Sequence, residues 1–280
     1  MLYLKRNNIM VSFGKIVTGR LRENMIKDSG KKLNDLLLEF GVICLRGEAL
    51  SPDIFLNLAR KLGKPKVQLL REHRLKKYPE ISIISNQHKD HLGDGKKIIL
   101  GAFWHTDDSY LDCPSAITLL HANIIPGRGL GGTEFADMRK AWLDLDDNMK
   151  SHINEIRALH KYQSRRNASR VPKRSKEEEK DTPDVIHPVV RTHPTTGQKA
   201  LYINPNRIDH LLGYEESIGD KLLDELIKFC TQDKFLYRHH WEVGDVLIWD
   251  NQCTMHRVKN DFNNLPREMM RILIEGSKPF

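Results

Sequence analysis

The spacing of apolar residues in the first part of the chain predicts helices that alternate with a buried strand. Residues 31–40 (KKLNDLLLEF) have helical spacing, and residues 41–47 (GVICLRG) have the continuous apolar run of a buried strand. A second helix is predicted to begin after Ser51, a favourable N-cap, and to end at Gly63. Its inward face is predicted to consist of Ile54, Phe55, Leu58 and Leu62.

Residues 81–86 (ISIISN) are strand-like, and from Phe103 onward the apolar runs become short and rich in β-branched or aromatic residues. Strands are predicted in ISIISN, AITLLHANI, GTEFADM, VIHPVVRTH, KALYIN, FLYRHHW, DVLIWDN and RILIEG. Two helices, at residues 140–145 and 218–230, interrupt them. The inward face of the second is predicted to consist of Leu222, Leu223, Leu226 and Phe229. Because many short strands separated by turns are typical of a sandwich or barrel, the predicted fold class is mainly β with flanking helices.

Length and composition fit a single enzyme-sized domain over residues 1–280, of which 39% are apolar. No apolar run is long enough to span a membrane, and residues 1–15 carry charges where a signal peptide needs an apolar run. The four cysteines are too few and too widely spaced for a disulfide scaffold. These features predict a soluble, cytoplasmic protein with no membrane partner.

The net charge of +8 is concentrated in one segment. Residues 161–180 contain eight Lys or Arg and three Glu, which leaves +5 in this segment alone. Its only aromatic residue is Tyr162, so a base-stacking surface is not supported and no nucleic-acid partner is expected. Residues 161–184 are predicted to be a basic insertion within the strand series, either a lid or a solvated loop. A basic polyanion-binding module is the alternative.

Two histidines and one carboxylate form a candidate metal site. His105 and Asp107 are two residues apart, so on an extended strand they would point to the same side. His256 would then come from a strand remote in sequence. Two histidines and a carboxylate on one side of a metal leave open positions, as iron(II) oxygenases require. A zinc hydrolase could use the same donors, although the chain has no His-Glu-x-x-His motif.

Two arginines follow the second histidine. Arg267 and Arg271 lie eleven and fifteen residues after His256, and their four-residue spacing keeps both guanidiniums on one face of a strand. A guanidinium can bind a carboxylate through two parallel hydrogen bonds. The pair therefore suits a dicarboxylate cosubstrate or an anionic substrate.

Several motifs, in order along the chain, carry a resemblance to a known family. They are FWHTDDSYLDCPSAITLLHANIIPGRGLGGTEFADMRKAW, VIHPVVRTHPTTGQKALYINP, VGDVLIWDNQCTMHR and REMMRILIEG. Together they resemble the taurine dioxygenase and 2,4-dichlorophenoxyacetate dioxygenase family of Fe(II)- and 2-oxoglutarate-dependent oxygenases. The resemblance implies a double-stranded β-helix, or jelly roll, with helices packed outside. Related enzymes are often dimers or tetramers, so the resemblance is compatible with a homo-oligomer.

The resemblance also implies the chemistry. His105, Asp107 and His256 match the family's iron ligands, and the cofactors implied are Fe(II) with 2-oxoglutarate and O2 as cosubstrates. The expected reaction hydroxylates a small-molecule substrate and releases succinate and CO2. Related halogenases have a small residue in place of the carboxylate, so Asp107 favours hydroxylation over halogenation.

Three further residues match family positions around the iron. Thr133, in the GGTEF segment, matches the hydroxyl that hydrogen-bonds the distal carboxylate of 2-oxoglutarate, and Arg267 matches the arginine that pairs with it. Arg271 matches the arginine that faces the acid group of the substrate. Sulfonate-specific members have polar groups before the first motif, whereas residues 96–102 (KKIILGA) are largely apolar. A carboxylate or similar anion with an apolar body is therefore expected rather than taurine.

Other candidate motifs are weaker. Residues 127–132 (GRGLGG) match a dinucleotide-binding pattern, but Pro126 precedes them and a strand-like run follows, so no helix N-terminus is available for a pyrophosphate. A turn is predicted there instead. His73 and Asn86 are candidates for reaching the substrate. Structural or exposed roles, without a paired metal ligand, are predicted for His121, His160, His187, His193, His239 and His240.

Overall fold

The computed structural model describes residues 12–27, 30–89, 93, 95, 99–127, 129–167 and 171–280. Outside the described residues lie most of the N-terminal run considered for a signal peptide, residues 96–98, Arg128 of the glycine-rich turn and Arg170 of the basic segment. None of the helices in the described part is long and apolar enough to cross a membrane.

Fifteen strands and seven α-helices lie in the described part of the chain. The strands are β1 (Lys15–Val17), β2 (Val42–Leu45), β3 (Arg74–Leu75), β4 (Tyr78–Ser85), β5 (Ile117–Ile124), β6 (Thr133–Asp137), β7 (Arg157–His160), β8 (Val185–Pro188), β9 (Val190–Thr192), β10 (Lys199–Leu201), β11 (Ile208–Leu211), β12 (Leu236–His239), β13 (Val246–Asp250), β14 (Thr254–Val258) and β15 (Glu268–Ile274). The helices are α1 (Gly19–Lys27), α2 (Lys31–Phe40), α3 (Pro52–Arg60), α4 (Met138–Asp144), α5 (Asp147–Ile153), α6 (Lys176–Lys180) and α7 (Glu216–Cys230). Each segment predicted to be a strand contains one, and VIHPVVRTH divides into β8 and β9.

A seven-stranded sheet in the order β1-β2-β13-β5-β15-β4-β3 forms one layer. Side chains alternate across it, as the pleat of a strand requires. On β13, Val246 and Ile248 belong to a cluster that also contains apolar residues of α1, α2 and α3. Leu247 and Trp249 belong to a different cluster on the opposite face. The helices therefore cover the outer face of this sheet.

A three-stranded sheet in the order β12-β6-β14 packs against the inner face of the large sheet. Phe135 of β6 and Trp249 of β13 meet between the sheets with ring centroids 5.3 Å apart. Both side chains are almost fully buried, and burial of each large aromatic side chain stabilises the fold by roughly 1.5 to 3 kcal/mol. The two sheets enclose a core, and β14 carries His256 along its edge.

Helices α2 and α3 agree with the predicted segments, with one correction. The Ser51 hydroxyl caps α3 by accepting a hydrogen bond from the Ile54 N–H at 3.4 Å. Ile54 is 45% exposed, so its predicted inward position is wrong. The buried stripe follows Phe55, Leu58 and Ala59 at i, i+3 and i+4, which leaves Ile54 at its edge.

Helix α7 packs into a third cluster, together with α4 and the sheet of order β11-β7-β8. Its predicted residues Leu222, Leu223 and Leu226 are buried as expected. Phe229 is only half-buried and packs against the side of this cluster.

Candidate active site

Backbone pairing brings His105 and His256 together. The His105 N–H donates to the His256 carbonyl at 3.0 Å, and the His256 N–H donates to the His105 carbonyl at 2.8 Å. The two ring centroids are 4.1 Å apart. As predicted, the second histidine comes from a strand that is remote in sequence, since His256 lies on β14 opposite Phe135 of β6.

Asp107 reaches the two histidines from a turn. Its Oδ1 is 3.9 Å from Nε2 of His105, and its Oδ2 is 3.8 Å from Nε2 of His256. The extended strand predicted through His105 and Asp107 is wrong, because His105 forms only an isolated bridge and residues 107–110 turn. Asn204 holds this turn by donating from Nδ2 to the Thr106 carbonyl at 2.9 Å.

The protonation of the histidines suits metal binding. Nδ1 of His105 lies 2.7 Å from the Phe103 carbonyl, so a proton on Nδ1 leaves the Nε2 lone pair directed at Asp107. Burial lowers the pKa of His105, against the opposing effect of Asp107, and burial holds the pKa of His256 well below its usual range. Two neutral imidazoles and one carboxylate, with ligand atoms within 4.8 Å of one another, fit a divalent iron ion.

A buried hydrogen-bond network holds the Asp107 carboxylate. The Thr118 hydroxyl donates to Oδ2 of Asp107 at 2.6 Å, and Nδ2 of Asn251 donates to Thr118 Oγ1 at 2.7 Å. Oδ1 of Asn251 accepts from the Trp249 indole N–H at 2.9 Å. The sequence analysis missed Thr118 and Asn251, since only the β5–β13 register, with Thr118 opposite Trp249, brings them together.

Arg267 is a buried cation without a carboxylate partner among the described residues. It is 6% exposed, and its Nε donates to the Gly131 carbonyl at 3.2 Å. Burial lowers its pKa to about 10, which leaves it charged at neutral pH. Asn86 holds its backbone by accepting from the Arg267 N–H at 3.0 Å. Because a desolvated charge is costly unless paired, this guanidinium is suited to an incoming anion.

Thr133 lies on the same side of the site. Its hydroxyl oxygen accepts from the Trp241 indole N–H at 3.0 Å, which leaves the hydroxyl hydrogen available to a ligand. The guanidinium of Arg267 lies 5.9 Å from the centroid of the Trp241 ring. Trp241 therefore neighbours both residues predicted to bind the cosubstrate.

Arg271 lies beside the metal ligands. Its Nη1 is 3.8 Å from Oδ1 of Asp107, and its Nη2 donates to Oε1 of Gln68 at 3.3 Å. Gln68 is buried and is itself fixed by donating to the Glu80 carbonyl at 3.1 Å. No sequence pattern identified Gln68, which orients Arg271 through this hydrogen bond.

A cavity of about 430 Å³ opens beside His105, Asp107 and Arg271. This volume is within the range of small-molecule sites. Apolar residues form much of its wall, including Ile99, Leu100, Phe103, Leu111, Val171 and Leu273. His73 and Asn86, considered as substrate contacts from the sequence, are not among the residues that line it.

The described residues of the basic segment, 161–167 and 171–184, are folded against the body of the protein. Arg165 and Arg166 pair with Asp220 of α7 at 2.7 and 2.6 Å. Ser175 and Glu178 form a capping box at the start of α6, and Glu178 accepts from the Arg71 N–H at 3.1 Å. Arg165 and Arg166 are therefore matched by carboxylates of the chain itself.

A second group of potential ligands lies away from the cavity. Cys44, His239 and Asp245 are buried together, although no spacing in the sequence pairs His239 with another ligand. Asp245 already accepts from Arg46 at 3.0 and 2.9 Å and lies 3.0 Å from Nε2 of His239. Because these partners occupy both carboxylate oxygens, this cluster is an internal ion-pair network.

Comparison with known proteins agrees with this geometry. Residues 7–273 match the family described as taurine catabolism dioxygenase TauD, TfdA family. An alpha-ketoglutarate-dependent 2,4-dichlorophenoxyacetate dioxygenase of Cupriavidus pinatubonensis is 32% identical over 260 residues, which cover 90% of each chain. An (S)-phenoxypropionate/alpha-ketoglutarate-dioxygenase of Sphingobium herbicidovorans is 29% identical over 254 residues, covering 88% of this chain and 86% of the relative.

Solved structures show the same fold. A taurine dioxygenase from Burkholderia xenovorans has a TM-score of 0.75 at 23% identity, covering 96% of this chain and 88% of its own. The structure of AAD-2 in complex with Mn(II) and N-oxalylglycine has a TM-score of 0.72 at 27% identity. The match covers 89% of this chain and 88% of the AAD-2 chain. The predicted jelly roll is confirmed, and the zinc-hydrolase alternative is not supported. The chain belongs to the TauD/TfdA family and is a dioxygenase that depends on Fe(II), 2-oxoglutarate and O2.

Proposed function

We propose that this enzyme hydroxylates a small organic acid and releases succinate and CO2, with His105, Asp107 and His256 as the iron ligands. The convergence of these three side chains beside a cavity that His105 and Asp107 line carries the proposal. Iron supplies the activation of O2 when it is bound. The chain holds both imidazoles neutral and keeps the Asp107 carboxylate oriented.

Arg267 and Thr133 bind the distal carboxylate of 2-oxoglutarate. Arg267 offers a buried, charged guanidinium with no carboxylate partner among the described residues, and Thr133 offers a hydroxyl hydrogen. Trp241 contacts both residues: its indole N–H donates to the Thr133 hydroxyl, and its ring centroid lies 5.9 Å from the Arg267 guanidinium. This arrangement accounts for the burial of a charge that would otherwise destabilise the fold.

Arg271 binds an acid group of the substrate. Its guanidinium lies 3.8 Å from Asp107 and its Nε is buried with no hydrogen-bond partner in the described chain. An anion bound here places the adjacent part of the substrate next to the proposed iron ligands. The apolar wall favours a substrate with an apolar body. The phenoxy acids in the names of the two relatives have such a body.

Residues 161–184 close over the cavity as a lid. Tyr162, Val171, Pro172 and Asp181 contribute to the cavity wall. The Tyr162 hydroxyl donates to the Pro172 carbonyl at 2.9 Å, so these two wall residues support each other. The segment is rich in trypsin sites, and we expect an acid substrate to slow tryptic cleavage there. Unchanged cleavage at a saturating concentration would argue against a lid.

The remaining predictions from the sequence concern the cellular location, oligomeric state and partners of the enzyme. A cytoplasmic location and a homo-oligomeric assembly stay predictions. The pairing of Arg165 and Arg166 with Asp220 supports the expectation of no nucleic-acid partner, because these cations are not free to bind phosphates.

A screen for succinate release tests the substrate class. Phenoxyacetates, aliphatic carboxylates and sulfonates are offered with Fe(II), 2-oxoglutarate and O2, and carboxylates with apolar bodies are expected to stimulate succinate formation most. Arg271→Gln should raise the KM for the acid at least tenfold while leaving 2-oxoglutarate affinity near that of the wild type. Arg60→Gln, at an exposed position on α3, is the matched control. Equal loss of affinity for both ligands would contradict the role given to Arg271.

A further inference from the structure

Arg207, which has no carboxylate partner among the described residues, faces the same cavity as Arg271. It lies in the turn before β11. Its guanidinium carbon is 5.1 Å from the ring centroid of Tyr110 and 4.8 Å from that of Tyr162. The two rings stand edge to face at 5.0 Å, so they hold the planar guanidinium in a defined place. A hydrogen bond from Nη1 to the Tyr162 carbonyl fixes it further.

The charges along the cavity wall do not balance. The described lining residues include four cations and three carboxylates. Lys66 pairs with Asp108 at 2.9 Å, and Asp107 is committed to the proposed iron site. Three arginines then face one carboxylate, that of Asp181, and the surplus is +2. The arginines in question are Arg74, Arg207 and Arg271.

Arg165, a nearby arginine that does not line the cavity, differs from Arg207 because it has a carboxylate partner. Arg165, in the same lid segment as Tyr162, forms two hydrogen bonds with the carboxylate of Asp220 at 2.9 and 2.7 Å. Arg207 has no carboxylate partner among the described residues, and its aromatic neighbours and one carbonyl use only part of its five-donor fork. The remaining N–H donors of Arg207 are free to bind a ligand, and the two aromatic rings fix the orientation of the guanidinium. Such a pre-organised guanidinium is suited to a carboxylate, sulfonate or phosphate.

We propose that the substrate carries two anionic groups, one bound by Arg271 beside Asp107 and the other by Arg207 between Tyr110 and Tyr162. An apolar body joins the two groups and contacts the aliphatic wall. The surplus of two positive charges matches a dianion. This inference rests on the proposed function, and it narrows the substrate class from organic acids to diacids.

Binding of matched acids tests the inference without turnover. The protein is loaded with Mn(II) and saturating 2-oxoglutarate, and calorimetry then measures Kd for α,ω-dicarboxylates of six to ten carbons and for the monocarboxylates of equal length. The best diacid is expected to bind at least about tenfold more tightly than its monoacid. Raising the 2-oxoglutarate concentration should not weaken the diacid, because the two occupy different sites. If no diacid binds more tightly than its monoacid, or if the diacid only displaces 2-oxoglutarate, the inference is overturned.

Variants assign the effect to Arg207. Arg207→Gln should lose the preference for the diacid while keeping its affinity for the monoacid and for 2-oxoglutarate. Arg207→Lys keeps the charge but not the planar fork between the two rings, so it should keep only part of the preference. Arg60→Gln, at an exposed position on α3 outside the cavity, is the matched control and should behave as the wild type. A full preference in Arg207→Gln would overturn the assignment, and if that variant does not fold, the wild-type preference and Arg207→Lys decide. Failure of the wild type to bind 2-oxoglutarate would instead count against the proposed function.

Discussion

The Thr118 hydroxyl donates a hydrogen bond of 2.6 Å to Oδ2 of Asp107, and this contact orients the carboxylate toward the two histidines. Asn251 supports Thr118 at 2.7 Å, and the whole network is buried. Partners of this kind around a metal ligand commonly contribute a factor of about 10 to 100 in metal affinity. The iron site thus depends on a threonine of β5 that is not itself a ligand.

Replacing Thr118 therefore tests the network. Thr118→Val keeps the shape of the side chain but removes the donor, so the Kd for Fe(II) should rise by about 10- to 100-fold. Thr118→Ser, which keeps the hydroxyl, should restore most of the affinity. An anaerobic competition titration with a chelator measures both values. Similar Kd values for wild type and Thr118→Val would show that the contact does not support the metal.

Removal of either histidine should abolish metal binding and turnover. His105→Ala or His256→Ala leaves one nitrogen and one carboxylate, which hold a divalent ion poorly. Metal content after gel filtration measures the loss, and circular dichroism checks that the fold is kept. His210→Ala, at a half-buried position on β11, is the control and should retain iron. Succinate formation at the wild-type rate in either site variant would exclude these residues as ligands.

Arg267→Ala should chiefly weaken the binding of 2-oxoglutarate. Loss of a buried guanidinium that pairs with a carboxylate costs about 2 to 5 kcal/mol. The variant should also be less sensitive to 2-oxoglutarate as a stabilising ligand in thermal unfolding, whereas Arg271→Ala should respond like the wild type. The same thermal shift with 2-oxoglutarate in Arg267→Ala would remove this residue from the cosubstrate site.

Stability should fall as the pH falls below about 6.5, in part because of His160. Its side chain is fully buried, and burial, followed by the nearby His187, holds its pKa well below the usual range. In the unfolded chain His160 takes up a proton below its ordinary pKa, whereas in the folded protein it stays neutral. The free energy of unfolding therefore falls by up to about 1.4 kcal/mol per pH unit. Urea unfolding of wild type and His160→Leu between about pH 5 and pH 7 measures this slope, which should be smaller in the variant. Parallel pH profiles would contradict it.

Local pattern was sufficient for most of the strands, although not for β1, β3, β7 and β11, and for the donor types of the iron site. The short apolar runs of β5 and β13, and the order of the motifs, predicted a β fold around His105 and His256. Which way individual side chains point in the fold depends on tertiary contacts. Thr118 reaches its partner through strand pairing, and Gln68 reaches Arg271 from a loop; no local spacing encodes either contact. Ile54 faces solvent because the sheet selects which stripe of α3 is buried.

The most direct measurement is an anaerobic titration of the Fe(II) protein with 2-oxoglutarate, monitored by the visible charge-transfer absorption of a keto acid chelated to iron. The structure predicts that this band appears in the wild type, needs a higher 2-oxoglutarate concentration in Arg267→Ala, and is absent in His256→Ala. Folded, iron-loaded wild-type protein that develops no band would contradict the assignment of the site.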